Sequence, residues 1–137
     1  MNNKFDIIVI GGGHAGIEAA NIANKMKINT ALITMSKTTM GRPSCNPSIG
    51  GSAKGHLVKE IDALGGAMGL LADLGGIQFK MLNKSKGPAI WSPRAQIDKD
   101  LYPIVVNNYL STQPYLTIIE DNVNEILVDG TKVTGVK

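Results

Sequence analysis

Near its start the sequence reads Phe5-Asp6-Ile7-Ile8-Val9-Ile10-Gly11-Gly12-Gly13-His14-Ala15-Gly16, an apolar run that leads straight into a glycine-rich segment. The run is typical of a β-strand, and a GxGxxG pattern between a strand and a helix is typical of a dinucleotide-binding turn. Gly11 allows the chain to turn sharply, Gly13 leaves room for phosphates, and Gly16 allows the helix to pack on the sheet. The N–H groups at the start of that helix would face the pyrophosphate. This stretch therefore predicts a Rossmann-like fold that binds a dinucleotide.

The residues after the glycines complete a βαβ unit over residues 5–34. A second apolar strand is predicted at Thr30-Ala31-Leu32-Ile33-Thr34. Between the strands, apolar residues recur on one helical face at Ala15, Ala19, Ile22, Ala23 and Met26. The alternative is a glycine turn in an ordinary α/β protein without a nucleotide. The placement of all three fingerprint glycines between two strands favours the dinucleotide site.

The end of the second strand lacks an acidic residue. Dinucleotide folds commonly place Asp or Glu about 20 residues past the glycines, where it binds the ribose hydroxyls. This chain has Thr34-Met35-Ser36-Lys37 at that point. A hydroxyl of Thr34 or Ser36 would then hydrogen-bond the ribose, more weakly than a carboxylate. The sequence therefore predicts a nonstandard ribose contact.

Composition indicates the class of protein. The chain has 137 residues, of which 43% are hydrophobic and 16 are glycine, as expected for one loop-rich α/β domain. The net charge of +3 is small and does not argue for an acidic partner, because nucleic-acid-binding modules usually cluster basic residues more densely; we expect no DNA partner. A single cysteine excludes an internal disulfide, and no apolar stretch approaches the roughly 18–20 residues of a membrane span. We therefore expect a cytoplasmic protein without a membrane segment, and no metal site.

Residues 35–56 lack a sustained period and are rich in Gly, Ser, Pro and Lys, so we interpret them as an active-site loop. They follow the second strand and so leave the carboxyl edge of the sheet, where α/β proteins bind ligands. Cys45 lies in this loop and has two interpretations. It is a buried, inert thiol, or a reactive one beside the cofactor, with Arg42, Lys54 or His56 favouring the thiolate.

Residues 57–112 are interpreted as a helical and strand insertion, and residues 116–137 as a strand and a hairpin. An apolar helical stripe, broken by Gly65-Gly66, is predicted to be buried in the core. A strand is then predicted over 77–82, and a polar turn over 83–88. A third helix is predicted from Ile97, with Pro103 either near its first turn or making a kink. A strand follows at 116–119, and a hairpin over 124–136 turns at Asp129-Gly130. The stripe consists of Leu57, Ile61, Leu64, Met68 and Leu71.

Trp91 follows two lysines of the polar turn. It either stacks a nucleobase or an isoalloxazine ring while the lysines meet phosphate, or it packs on a surface turn. The sequence alone favours the surface turn.

Longer motifs point to one family. They are Gly11-Gly12-Gly13-His14-Ala15-Gly16, Ser44-Cys45-Asn46-Pro47 with Gly50-Gly51, residues 54–66, Ile77-Gln78-Phe79, residues 81–89 and Pro93-Arg94-Ala95-Gln96. From Phe5 to its end, the chain resembles the N-terminal part of the MnmG (GidA) family of flavoproteins. Blocks of this length in this order are far more specific than the glycine fingerprint. Arg42 and Trp91 depart from the pattern of many relatives.

The resemblance implies a Rossmann-like FAD-binding domain of the two-dinucleotide-binding flavoprotein type, incomplete and ending in a β-hairpin, with residues 1–137 as its N-terminal part. It implies FAD as cofactor, NADH as reductant and methylenetetrahydrofolate as one-carbon donor. Together with the GTPase MnmE, the complete enzyme would add an aminomethyl or carboxymethylaminomethyl group at C5 of the tRNA wobble uridine. The complete enzyme would be a homodimer, or a heterotetramer with MnmE.

The resemblance also assigns site residues. The FAD pyrophosphate would be held by Gly11, Gly12, Gly13, His14, Ala15 and Gly16. Val123 would meet the adenine through its backbone, and Cys45 would act as nucleophile or as acid–base.

Family members are several times longer, so we expect a fragment or a truncated reading frame that alone binds FAD weakly and catalyses nothing. Three alternatives stay open. One is another flavin oxidoreductase, such as the folate-dependent tRNA methyltransferase TrmFO. The others are an FAD-binding module without catalysis and a decayed gene product without a stable fold.

Overall fold

The βαβ unit expected at the glycine turn is confirmed in the computed structural model, which describes residues 4–43 and 46–137. Strand β1 spans Ile7–Ile10, helix α1 spans His14–Lys25 and strand β2 spans Thr30–Thr34. The two strands are parallel, with Ile7 opposite Thr30 and Ile10 opposite Ile33. The glycines therefore lie at the carboxyl end of β1, immediately before α1.

A third parallel strand completes the main sheet. Helix α4, Leu101–Ser111, leads to strand β6, Leu116–Glu120, which pairs with β2 on the side away from β1. The strand order is β1-β2-β6, and all five residues of β2 are buried. Val9, Leu32 and Ile118, one from each strand, pack into the core that α1 and α4 also line. A parallel sheet joined by helical crossovers is the Rossmann-like α/β fold that the sequence predicted.

The residues between β2 and β6 in the sequence form a second sheet, which is antiparallel. Its strands are β3 (Ser48–Gly50), β4 (Gly76–Leu82) and β5 (Ser92–Ile97), in the order β3-β5-β4. Strand β4 was predicted, whereas β3 and β5 were not. Strand β5 was not predicted because it contains Pro93 and several polar residues, which are not typical of a strand.

The helices of this region differ in part from the prediction. The stripe is interrupted at Gly65-Gly66 as predicted, and these glycines lie between two helices, α2 (Gly55–Ala63) and α3 (Met68–Gly75). Helix α4 begins at Leu101, since Ile97 ends β5, and Pro103 lies in its first turn as expected. The stripe predicted as core is only partly buried. Leu71 is fully buried, but Leu57 is 48% and Leu64 80% exposed.

Helix α1 buries a different face from the one its apolar pattern predicted. Ala15, Ala19, Ile22 and Met26 are exposed, and only Ala23 of the predicted set is buried. The buried face comprises Ile17, Ala20, Asn21, Ala23 and Asn24. The prediction was wrong because it counted apolar residues only, whereas Asn21 and Asn24 are buried here and both have hydrogen-bond partners. Tyr109 donates to Asn21 Oδ1 at 2.9 Å, and Asn24 Nδ2 donates to Gln113 Oε1 at 2.8 Å.

The chain ends in the predicted β-hairpin. Strands β7 (Ile126–Asp129) and β8 (Lys132–Val136) are antiparallel and joined by Gly130-Thr131, one residue later than predicted. Gly130 has φ +60, which favours glycine at a tight turn. Within the two described ranges, no helix is both long enough and apolar enough to cross a membrane.

Candidate functional site

The glycines of the turn differ in what surrounds them. Gly11 has φ +101, a conformation that residues with side chains rarely adopt. A β-carbon at Gly16 would collide with the carbonyl oxygen of Gly11. A β-carbon at Gly12 would lie 2.8 Å from both Met40 Cγ and Thr34 Oγ1. These three glycines therefore allow the turn, the helix and the end of β2 to approach one another closely.

Gly13 is different because it faces open space. A β-carbon there would meet no other described atom within 4 Å, and its φ of −75 suits any residue. Gly13 is also the N-cap of α1, where no side chain caps the helix and the first turn has no acidic residue. The N–H groups at this helix start are therefore open to an anion, which the helix dipole also favours.

A cavity of about 400 Å³ adjoins the start of α1. Its lining includes His14, Arg42, Pro43, Asn46, Lys54 and Ile61. Arg42 and Lys54 bring positive charge, and no carboxylate is among the described residues that line the cavity. Gly41 N–H donates to the carbonyl of Gly12 at 2.9 Å, which holds the segment after β2 against the turn. The cavity thus suits an anionic ligand whose phosphates meet the helix start.

The ring of His14, the first residue of α1, lies close to the ring of Tyr102 in α4, with the ring centroids 5.9 Å apart. Burial lowers the pKa of His14 below 6.5, and the charge of Glu18 opposes that shift only in part. Burial and, to a smaller degree, Glu18 raise the pKa of Tyr102 to about 12. Both groups are therefore uncharged at neutral pH, so the positive charge of the cavity comes from its arginine and lysine.

The carboxylate of Glu18 joins α1 to α3. It accepts hydrogen bonds from the N–H groups of Ala67 and Met68, at 2.9 and 2.7 Å. These are the N-terminal donors of α3, which lacks a cap from its own sequence. Glu18 and Ala67 lie 49 residues apart, so no local pattern in the sequence predicts this contact.

The carboxyl ends of all three parallel strands meet beside the glycine turn. Thr34 pairs with Glu120, and Asp121 N–H donates to the carbonyl of Thr34 at 2.9 Å. The two residues predicted to contact a ribose lie here. Thr34 is buried and its hydroxyl donates to the carbonyl of Ser36, at 3.3 Å. The hydroxyl of Ser36 shares a hydrogen bond with that of Thr38, at 2.9 Å.

Val123 follows the carboxyl end of β6 and is half-buried. It lines a second cavity, of about 740 Å³, with Ile8 and Ile33 of the main sheet and Leu127 of the hairpin. In the described part of the chain, its N–H and C=O make no backbone hydrogen bond. That leaves its backbone able to meet a ligand.

Cys45, the expected catalytic residue, lies outside the described residues. The described residues closest to it in sequence, Pro43 and Asn46, line the cavity at the start of α1. No group of three or more His, Cys, Asp or Glu residues in ranges 4–43 and 46–137 has the geometry to hold a metal ion.

Comparison with known proteins gives consistent results. The family model for glucose inhibited division protein A matches residues 6–137. A tRNA uridine 5-carboxymethylaminomethyl modification enzyme MnmG from Wolinella succinogenes is 55% identical over 133 residues, which cover 97% of this chain and 21% of that protein. The chain thus spans about a fifth of the length of the curated relatives it matches.

Solved structures agree with the sequence comparison. GidA of Aquifex aeolicus superposes with a TM-score of 0.93 at 51% identity, over 98% of this chain and 22% of that one. The probable FAD-dependent monooxygenase pqsL of Pseudomonas aeruginosa is 12% identical with a TM-score of 0.67, over 98% of this chain and 38% of that one. This second likeness shows the fold alone.

Proposed function

The chain belongs to the glucose inhibited division protein A family, and from that membership we propose that residues 1–137 form the N-terminal part of the FAD-binding domain of a tRNA-modifying flavoenzyme. The observation that carries the proposal is the open face of Gly13 at the uncapped start of α1. Helix starts of this kind bind the pyrophosphate of dinucleotides in Rossmann-like folds.

The residues present fit FAD. The backbone from Gly11 to Gly16, including Gly12, His14 and Ala15, would hold the pyrophosphate. Val123 would meet the adenine through its backbone N–H or C=O, and Thr34 or Ser36 would face the ribose. The cavity lined by Arg42 and Lys54 would take the remaining part of the cofactor or the substrate beside it.

The proposed reaction adds an aminomethyl or carboxymethylaminomethyl group at C5 of the wobble uridine of tRNA. When bound, the flavin would supply hydride transfer and would carry a one-carbon unit. NADH would be the reductant, methylenetetrahydrofolate the one-carbon donor and the GTPase MnmE the partner. The complete enzyme would be a homodimer in the cytoplasm, or a heterotetramer with MnmE.

Cys45 is the proposed catalytic residue. C5 of uridine is a poor nucleophile until electron density is pushed into the ring. A thiolate that adds to C6 forms a C–S bond and moves the C5=C6 electron pair towards C5, which can then attack the one-carbon electrophile. Loss of the C5 proton and expulsion of the thiolate restore the ring. In the alternative, Cys45 instead donates or accepts a proton.

A chimera tests the proposal. Replacing the matching 133 residues of the Wolinella succinogenes relative with this chain should restore modified uridine in the tRNA of a strain that lacks the relative. Mass spectrometry of the nucleosides measures the product. Cys45→Ser should abolish the product while flavin still co-purifies, whereas Ser111→Ala, at the exposed last residue of α4, should keep both.

A folded, flavin-containing chimera that leaves the uridine unmodified would contradict the proposed reaction. A Cys45→Ser chimera with undiminished product would contradict the role of the cysteine alone.

A further inference from the structure

A third cavity, of about 460 Å³, lies beside Trp91 and does not include the glycine turn. We call it the Trp91 cleft. Its lining includes Ser52, His56, Lys59, Asn83, Lys86 and Trp91. The volume lies within the roughly 300–1,000 Å³ of small-molecule sites. Helix α2 contributes residues both to this cleft and to the cavity at α1. His56 and Lys59 line the former, and Leu57 and Ile61 line the latter.

The walls of the Trp91 cleft are fixed by hydrogen bonds. Asn83 has φ +60, and its Nδ2 donates to Ser52 Oγ at 3.0 Å and to the carbonyl of Ile90 at 3.3 Å. The indole Nε1–H of Trp91 donates to the carbonyl of Lys84, also at 3.3 Å. The ring is thus held by its edge while the side chain stays 46% exposed. A fixed and exposed aromatic ring offers a stacking surface at little entropic cost.

The charge of the cleft is one-sided. Lys59 and Lys86 are both exposed, His56 lies beside them, and no Asp or Glu is among the described lining residues. Lysines next to an exposed aromatic ring form the combination by which proteins bind single-stranded nucleic acid. The cations meet phosphates, and the ring stacks a base.

We propose that the Trp91 cleft binds one nucleotide of single-stranded RNA, with its base stacked on the indole and its flanking phosphates facing Lys59 and Lys86. The inference rests on the proposed function, which makes an RNA loop the substrate. The base must be unpaired, because the faces of bases in an RNA duplex are covered by stacking. Since helix α2 lies between the cleft and the cofactor cavity, the bound nucleotide is a neighbour of the one that reacts.

The fluorescence of Trp91 reports binding directly because it is the single tryptophan of the chain. An oligouridylate of about eight nucleotides, within the usual site size for single strands, is titrated into the purified chain. We expect saturable quenching that weakens as salt rises. Uridine monophosphate and inorganic phosphate, tested in parallel, should quench far less at equal concentration.

Variants of the lysines and of Trp91 test the phosphate contacts and the base stacking separately. Binding is followed by the anisotropy of labelled oligouridylate. Losing two phosphate contacts in Lys59→Gln/Lys86→Gln should reduce the slope of log affinity against log salt by about 1.4. Lys99→Gln/Lys132→Gln removes the same charge from two other exposed lysines and should leave the slope unchanged. Trp91→Ala should bind about 5- to 150-fold more weakly, whereas Trp91→Phe should keep most of the affinity.

Several results would overturn the inference. These are no quenching by the oligonucleotide, equal quenching by the free nucleotide, or equal loss of affinity in the two lysine pairs. Flavin binding is measured on the same samples. Retained flavin without quenching counts against the cleft alone, and quenching without flavin binding counts against the proposed function alone.

Discussion

At the scale of single residues, the glycines of the turn fall into two groups. Three of them are needed by the fold itself, and one faces open space. Gly12 and Gly16 are required because their neighbours lie too close for a β-carbon, and Gly11 because of its positive φ. Gly13 meets neither condition. The spacing of the glycines predicted the sharp turn at Gly11 and the close packing at Gly16, whereas room for phosphates at Gly13 stays a prediction. The spacing could not predict the role of Gly12, which depends on Met40 and Thr34 beyond the helix.

Alanine substitutions at two glycines should therefore differ in effect. Gly16→Ala forces its β-carbon against the carbonyl of Gly11, so the free energy of unfolding should fall by about 1–3 kcal/mol or more. Gly13→Ala should leave it within about 0.5 kcal/mol of the wild-type value. Urea denaturation followed by circular dichroism measures both. Equal loss in the two variants would contradict the packing described for Gly16.

His14 should make stability depend on pH. Its pKa is lowered from 6.5 in the folded chain, chiefly by burial, so below pH 6.5 the unfolded chain binds a proton that the folded chain resists. The free energy of unfolding should therefore fall as pH drops from 6.5 towards the folded pKa. His14→Gln should remove this part of the dependence, which denaturation between about pH 5 and 8 measures. His56→Gln, which leaves His14 in place, should keep it.

At the scale of elements, helix α1 connects the parts of the molecule through polar contacts as well as apolar ones. Asn21 and Asn24 join it to α4 and to the residues that follow α4, and Glu18 caps α3. Apolar periodicity found the helix but selected the wrong face. A pattern of apolar residues does not show that a buried asparagine has a partner elsewhere in the sequence. For the same reason it could not find β5, whose place depends on pairing with β3 and β4.

The cap formed by Glu18 should be measurable in stability. Glu18→Ala leaves the N–H groups of Ala67 and Met68 without their acceptor, so the free energy of unfolding should fall by about 1.5–3 kcal/mol. Glu18→Gln keeps an acceptor oxygen and should lose less. The matched control is Glu60→Ala, on exposed α2, which should change stability by about 0.5 kcal/mol at most. Similar losses for Glu18→Ala and Glu60→Ala in urea denaturation would contradict the cap.

At the scale of the whole molecule, three parallel strands end at one edge, and the candidate cofactor site lies there. The βαβ unit, β4, β6 and the hairpin were all predictable, because strand periodicity and turn residues are local signals. The gathering of Arg42, Lys54 and His14 around one cavity was not, because it depends on how the segment after β2 folds against the turn. Exposed apolar side chains such as Met26 and Leu64 show why a stripe does not predict burial. A stripe is buried only where another element covers it.

One measurement tests most directly whether the glycine turn holds the cofactor. The flavin-free wild-type protein and its Gly13→Val variant are each titrated with FAD in a calorimeter. A β-carbon at this position meets no described atom within 4 Å, and we expect the methyl groups of valine to fill the space in front of the helix start. We therefore predict that wild type binds FAD in preference to NAD, and that Gly13→Val unfolds at the same temperature as wild type yet binds no FAD. A Gly13→Val protein that binds FAD as tightly as wild type would contradict this placement.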